Sequence, residues 1–266
     1  LGCFNYKENL NTGKAGGKLQ RYFNTEIKEN SFYISGDDFH HISKVMRMKI
    51  GDHIICVTND GRSAICSITK IADDYVAADV VQWESSSKEL PIQMTIASGL
   101  PKGDKLEWII QKGTELGAYE FIPFIATRSI VKWDEKKSLK KLERWKKIAK
   151  EAAEQSQRNR LPLVHTPISL ETLLNNSQKY DRKLIAYEEA AKHGETSTFV
   201  QVLEEIKKGE SLLIVFGPEG GLTPNEVQLL IENGFYSCGL GPRILRTETA
   251  PLYALAAASY HLELLR

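Results

Sequence analysis

The chain has 266 residues, 42% hydrophobic and 26% charged, with a formal net charge of +1. That is apolar material for one large or two small globular cores. No apolar run approaches the roughly 18 residues of a membrane helix, and a balance so near zero leaves any nucleic-acid argument to local patches.

The start of the chain has no apolar signal core, and its four cysteines (Cys3, Cys56, Cys66, Cys238) include no C-x-x-C pair. Both features point to a reducing cytoplasm and away from structural zinc. Residues 1–19 read as a flexible tail, because Asn9, Asn11, Gly13, Gly16 and Gly17 break any period. Ala15-Gly16-Gly17 can be encoded by a ribosome-binding sequence, so translation is expected to begin at Leu19 unless the tail is a genuine extension.

Residues 20–90 are β-rich. Arg21–Phe23, Ser31–Ile34, His53–Val57, Ser63–Ile68 and Tyr75–Val81 are short strand signals, separated by Gly51-Asp52, Asn59-Asp60-Gly61 and Asp73-Asp74. Strands at this spacing suggest a small barrel. One helix interrupts them: Asp37-Asp38 can cap it, and Phe39, Ile42, Val45 and Met46 fall on one face. The polar stretch Trp83–Pro91 reads as a linker.

From Ile92 the pattern alternates strand and helix. Strands are expected at Ile92–Ala97, Phe121–Ile125, Lys183–Tyr187 and the Leu212 run, with a last one near Tyr236–Cys238. Helices are expected at Asp104–Leu116, along Leu139–Ala153, at Phe199–Ile206, from Thr223 and from Thr249 to Leu265. Such alternation calls for a parallel sheet covered on both faces. Lys132–Arg160 carries eleven Lys/Arg against five acids, either a solvated helix face or a phosphate-attracting patch. Glu107 and Lys112 read as helix-surface pairing partners.

Several catalytic signatures are missing. There is no G-x-S-x-G, no H-E-x-x-H, and no G-x-G-x-x-G after an early strand. Gly99–Lys105 lacks the G-K-[ST] ending of a phosphate loop. What remains is a pair of glycine-rich turns late in the chain. Phe216-Gly217-Pro218-Glu219-Gly220-Gly221 follows a buried-strand signal and precedes Thr223-Pro224-Asn225-Glu226, a helix start with Thr as cap and Pro first. Gly239-Leu240-Gly241-Pro242-Arg243-Ile244-Leu245-Arg246-Thr247-Glu248-Thr249-Ala250-Pro251 leads into the final helix in a similar way. Each alone reads as a strand–helix connection of an α/β domain.

Together these two motifs closely resemble the SPOUT class of S-adenosyl-L-methionine-dependent RNA methyltransferases, above all its RsmE branch, the 16S rRNA uridine N3-methyltransferases. The resemblance runs from about Gln20 to Arg266. It includes Glu151–Arg158 and the stretch His40–Met48, which is similar to the RNA-facing helix of a PUA-like domain. It implies an α/β fold: a C-terminal SPOUT parallel-sheet domain (91–266) with a deep trefoil knot, preceded by a small PUA-like β-barrel domain (20–90). It also implies a homodimer, and 16S rRNA or the small ribosomal subunit as partner. S-adenosyl-L-methionine is expected to meet Phe216–Gly221 of the first turn. From the second turn, Leu240, Gly241, Arg243, Ile244, Leu245, Thr247 and Ala250 are expected to line it. A third loop, Ala186-Tyr187-Glu188, completes the site.

Uridine N3 is mostly protonated at neutral pH, so a base or a stabilising cation is needed. Arg246 and Arg158 are candidates for the cation. Glu219 and Glu248 are candidates for the base, and acids also sit at helix starts for capping alone. His40, His41, Arg47, Lys102 and Arg158 are the candidate RNA contacts. Two other readings remain open at this point: a non-catalytic RNA-binding assembly factor, and a SPOUT enzyme acting on another RNA.

Overall fold

A computed structural model describes residues 19–23, 27–130, 135–187 and 197–265, with the backbone alone at 135–137. The expected tail over residues 1–18, Lys132 and Asp134 of the basic segment, and Glu188 lie outside the described residues. The chain forms two compact units, the first ending at Ser87 and the second beginning at Lys88.

The first unit is a six-stranded sheet of β1 (Arg21–Phe23), β2 (Ile27–Lys28), β3 (Ser31–Ser35), β4 (His53–Val57), β5 (Ser63–Ile71) and β6 (Tyr75–Trp83), in the order β1-β4-β5-β6-β3-β2. Asp60-Gly61 makes the β4–β5 hairpin, with Gly61 at φ +84°. Alternate residues turn inward, so Phe32, Ile34, Ile54, Cys56, Cys66, Ile68 and Val76 share one core. Between β3 and β4 lies α1 (Gly36–His40), whose N-cap position is Ser35 rather than Asp37 or Asp38, with no capping bond from the side chain, and it runs straight into a π-turn over His41–Val45. The wider turn breaks the helical phase. Ile42 is buried, but Val45 (59% exposed) and Met46 (42%) swing out of the face that the 3.6-residue period assigned to them.

The second unit is an all-parallel sheet. Its members are β7 (Gln93–Gly99), β8 (Glu120–Ile125), β9 (Leu163–Val164), β10 (Ile168–Ser169), β11 (Arg182–Ala186), β12 (Ser211–Phe216) and β13 (Tyr236–Cys238). The order is β10-β8-β7-β12-β11-β13, with β9 also on β8. The described helices are α2 (Lys105–Glu115), α3 (Glu135–Gln155), α4 (Leu170–Asn176), α5 (Thr198–Glu205), α6 (Pro224–Glu232) and α7 (Thr249–Ser259). The short β9, β10 and α4 have no counterpart in the sequence expectation. In β12, Leu212, Ile214 and Phe216 face one core while Leu213 and Val215 face the other. Both faces are covered, so the strand is an unbroken apolar run, each such side chain stabilising by roughly 1.5–3 kcal/mol. On α3, Trp145, Ala149, Ala152 and Ala153 are buried, but Leu139 of the expected apolar stripe is 67% exposed.

The stretch read as a linker is anchored at both ends. Glu84 accepts hydrogen bonds from Arg21 and Ser63 within the first unit, and Glu89 pairs with Arg158 within the second.

Candidate active site

The first glycine turn leaves β12 and folds back on itself. The Gly221 amide donates to the Pro218 carbonyl at 2.8 Å, and Gly221 sits at φ +69°. A Cβ on Gly217 would lie 3.0 Å from the Gly221 carbonyl carbon and the Leu222 nitrogen, so the loop closes only around a bare Cα. The helix behind it is set as expected. Thr223 accepts from the Glu226 amide at 3.2 Å while the Glu226 carboxylate accepts from the Thr223 amide at 2.7 Å, a complete capping box. The second turn differs from the expectation: the N-cap of α7 is Glu248, whose side chain makes no capping bond, and Thr249 is already helical. There the Arg246 carbonyl accepts from the amides of Thr249 and Ala250 at 2.8 and 3.0 Å.

These turns and the end of β11 line one cleft of about 530 Å³. That is within the roughly 300–1,000 Å³ of small-molecule sites, and it lies at the carboxyl ends of parallel strands. Ala186 and Tyr187 form one side, Phe216–Leu222 the second, and Ile244–Thr247 with Ala250 the third. Of the expected cofactor contacts, Leu240, Gly241 and Arg243 are not in this lining. Leu240 packs on the hydrophobic core instead, and Arg243 is exposed.

Two cations that were not among the expected site residues enter from distant segments. Lys105, the first residue of α2, donates to Glu219 Oε1 at 2.8 Å and lies 3.5 Å from Glu248 Oε2. Burial opposes ionisation of Glu219, but hydrogen bonds from Lys105 and from backbone amides outweigh it and hold the carboxyl below its usual range. The same Glu219 bond raises the Lys105 ammonium. Arg128, between β8 and α3, donates to the carbonyls of Gly220 at 2.9 Å and Leu222 at 3.4 Å. Arg246 lines the cleft, is exposed, and has no ion pair among the described residues.

Other candidates are not among the lining residues. Arg158 is 2% exposed; it pairs with Glu89 and donates to the carbonyls of Thr114 (3.2 Å) and Ala118 (2.6 Å). Its guanidinium is therefore spent inside the second unit, where the expectation had it facing substrate. Glu107 pairs across to Arg144 of α3 at 2.7 Å, and Lys112 pairs with Glu115 at 2.7 Å along its own helix. The Lys102 side chain is exposed while its amide donates to Glu219 at 3.1 Å. In the first unit His40 is exposed, and His41 Nδ1 lies 3.0 Å from the Tyr22 hydroxyl. Arg47 is exposed at φ +51°, a conformation rare for a side-chain-bearing residue.

The residues present fit an adenosine-type sulfonium ligand. Apolar side chains (Ile244, 74% exposed, with Leu245 and Ala250) share the lining with a glycine turn that presents backbone rather than side chains, and the Glu219 and Glu248 carboxylates meet at Lys105 beside it.

Residues 88–259 match the family model described as RNA methyltransferase domain, and residues 34–81 that of the RNA methyltransferase PUA domain. The ribosomal RNA small subunit methyltransferase E of Bacillus subtilis (strain 168) is 57% identical over 253 residues, covering 93% of this chain and 99% of that protein. The protein of that name from Synechocystis sp. (strain ATCC 27184 / PCC 6803 / Kazusa) is 34% identical, covering 90% of this chain and 76% of that protein. The crystal structure of the Neisseria gonorrhoeae ribosomal RNA small subunit methyltransferase E bound to S-adenosyl methionine superposes with a TM-score of 0.76 at 28% identity, covering 91% of this chain and 97% of that one.

Proposed function

This chain belongs to the ribosomal RNA small subunit methyltransferase E family, and from that premise we propose that it methylates N3 of one uridine in 16S rRNA. The observation that carries the reading is the convergence of both glycine turns and the β11 end on one cleft. When bound there, S-adenosyl-L-methionine supplies an activated methyl group on a cationic sulfonium.

The chain's own residues do the rest. Backbone groups of Phe216–Gly221 and of the Ile244–Thr247 turn hold the nucleoside between apolar walls and keep water from it. Arg246, which has no ion pair among the described residues, faces the charge that grows on a uridine oxygen as the N3 proton leaves. Either Glu219 of the cleft lining or Glu248, which shares its Lys105 partner, receives that proton, directly or through water. Glu219 is held by the Lys105 ammonium, and Arg246 supplies the charge stabilisation. His40, His41 and Arg47 of the PUA-like unit contact RNA, with Lys102 of the catalytic unit; the boundary expected after residue 90 falls at Ser87–Lys88. The protein works in the cytoplasm as a homodimer with a trefoil-knotted catalytic domain. Insertion of β12 between β7 and β11, and the packing of α7 on α2, support the knot.

Calorimetry with S-adenosyl-L-methionine tests the cleft: a saturable site is expected, and its absence would favour a non-catalytic assembly factor. Mass spectrometry of ribosomal RNA from a deletion strain tests the target. One N3-methyluridine should disappear from 16S rRNA; loss of a ribose or tRNA methyl instead overturns the assignment.

A further inference from the structure

One ammonium in the cleft serves acids from two different turns. Lys105 Nζ lies 2.8 Å from Glu219 Oε1 of the first glycine turn and 3.5 Å from Glu248 Oε2 of the second. Glu248 Oε2 is buried and accepts no hydrogen bond among the described residues; its ion pair with Lys105 is what faces it. The segment that carries Lys105 is itself fixed to the first turn. The Lys102 amide donates to the same Glu219 oxygen at 3.1 Å, and a Cβ on Gly99 would stand 2.6 Å from Pro218 Cδ. Three connections (β7–α2, β12–α6 and β13–α7) thus meet at one nitrogen.

We propose that Lys105 is a positioning residue for methyl transfer, fixing the separation of the two glycine turns by binding one carboxylate from each. The proposal rests on the reading of this cleft as the S-adenosyl-L-methionine site. Its physical basis is simple electrostatics. Both carboxylate oxygens lie within 3.5 Å of that nitrogen, so without it two like charges are left as neighbours in a half-buried setting with no cation between them. Repulsion opens the turns, and one of the two carboxyls takes up a proton more readily. An arginine at the same position keeps the charge and can reach both acids.

The test uses the full-length protein with S-adenosyl-L-methionine as the calorimetric probe, and a pH profile of kcat/KM. Lys105→Ala is expected to weaken cofactor binding by about tenfold or more, as misplaced binding groups do. Its acid limb should move to higher pH, and Lys105→Arg should restore both properties. Adding Glu219→Gln to Lys105→Ala should cost less than the two single losses combined, because both act on one contact. Binding and pH profile of Lys105→Ala indistinguishable from the parent overturn the proposal alone. The same holds if Lys105→Arg, melting at the parental temperature, binds as poorly as Lys105→Ala. A parent protein that does not bind the probe overturns the cleft reading, and the proposal with it.

Discussion

Arg158→Ala separates a structural arginine from a chemical one. The Arg158 side chain is 2% exposed and Glu89 keeps 22%. Removing it takes the guanidinium from the Glu89 carboxylate, which also accepts from the Asn159 amide at 2.8 Å, and strips a donor from the carbonyls of Thr114 and Ala118. Breaking a buried pair from one side costs about 3–5 kcal/mol, and the partial exposure of Glu89 places this case near the lower end. For a domain of this size each kcal/mol moves the melting temperature by about 2–4 °C, so a fall of about 6–12 °C is expected. Differential scanning calorimetry of parent and variant measures it. Methyl transfer per folded molecule, assayed well below the lowered melting point, should stay within about threefold of the parent, as for a residue remote from the reacting atoms. Glu89→Ala should destabilise in parallel. If Arg158→Ala melts within about 2 °C of the parent while transfer collapses, the packing argument is wrong and Arg158 acts on substrate.

Arg246→Ala should fold and bind cofactor normally while methyl transfer falls by about 10²–10³-fold, the usual loss for one charge-stabilising donor; unchanged turnover removes Arg246 from the site. Gly99→Ala should weaken cofactor binding and destabilise by about 1–3 kcal/mol, because the new Cβ would lie 2.6 Å from Pro218 Cδ and 2.8 Å from its nitrogen; a variant with parental affinity and melting temperature contradicts this. Glu120 provides a pH test. Burial alone would push its carboxyl up, but hydrogen bonds from His165 and Tyr180 and the charge of Lys179 outweigh that and hold it at about 2. The folded pKa is depressed, so its contribution is fully present above about 4.5 and is lost as pH falls toward 2. The urea midpoint should therefore drop between those limits by the equivalent of about 2–3 kcal/mol, and Glu120→Gln should flatten that part of the curve. An unaltered slope in the variant rules Glu120 out as its source.

Much of this protein was legible from local pattern. The run Ser211–Phe216 announces a doubly buried strand, and Thr223-Pro224-Asn225-Glu226 a capped helix start. The two glycine turns already name Phe216–Gly221, Ile244, Leu245, Arg246, Thr247 and Ala250, all of which line the cleft. These signals are short-range: side-chain alternation, caps and backbone freedom act within a few residues, so the sequence carries them openly. Tertiary structure decided what depends on distant segments meeting. Lys105 and Glu219 are 114 positions apart, and nothing near either one marks the pair. Arg158 sits in a motif that resembles a substrate contact. Yet Gln157 at φ +61° turns the backbone there, and the Arg158 side chain lies inside, against Glu89, 69 positions earlier. Val45 and Met46 fit a helical stripe on paper, but one π-turn rotates them into solvent. Periodicity can say that a face exists. Which charges neutralise one another is fixed only when the folded chain brings them within a few ångströms, because that attraction falls with distance in space and is blind to separation along the sequence.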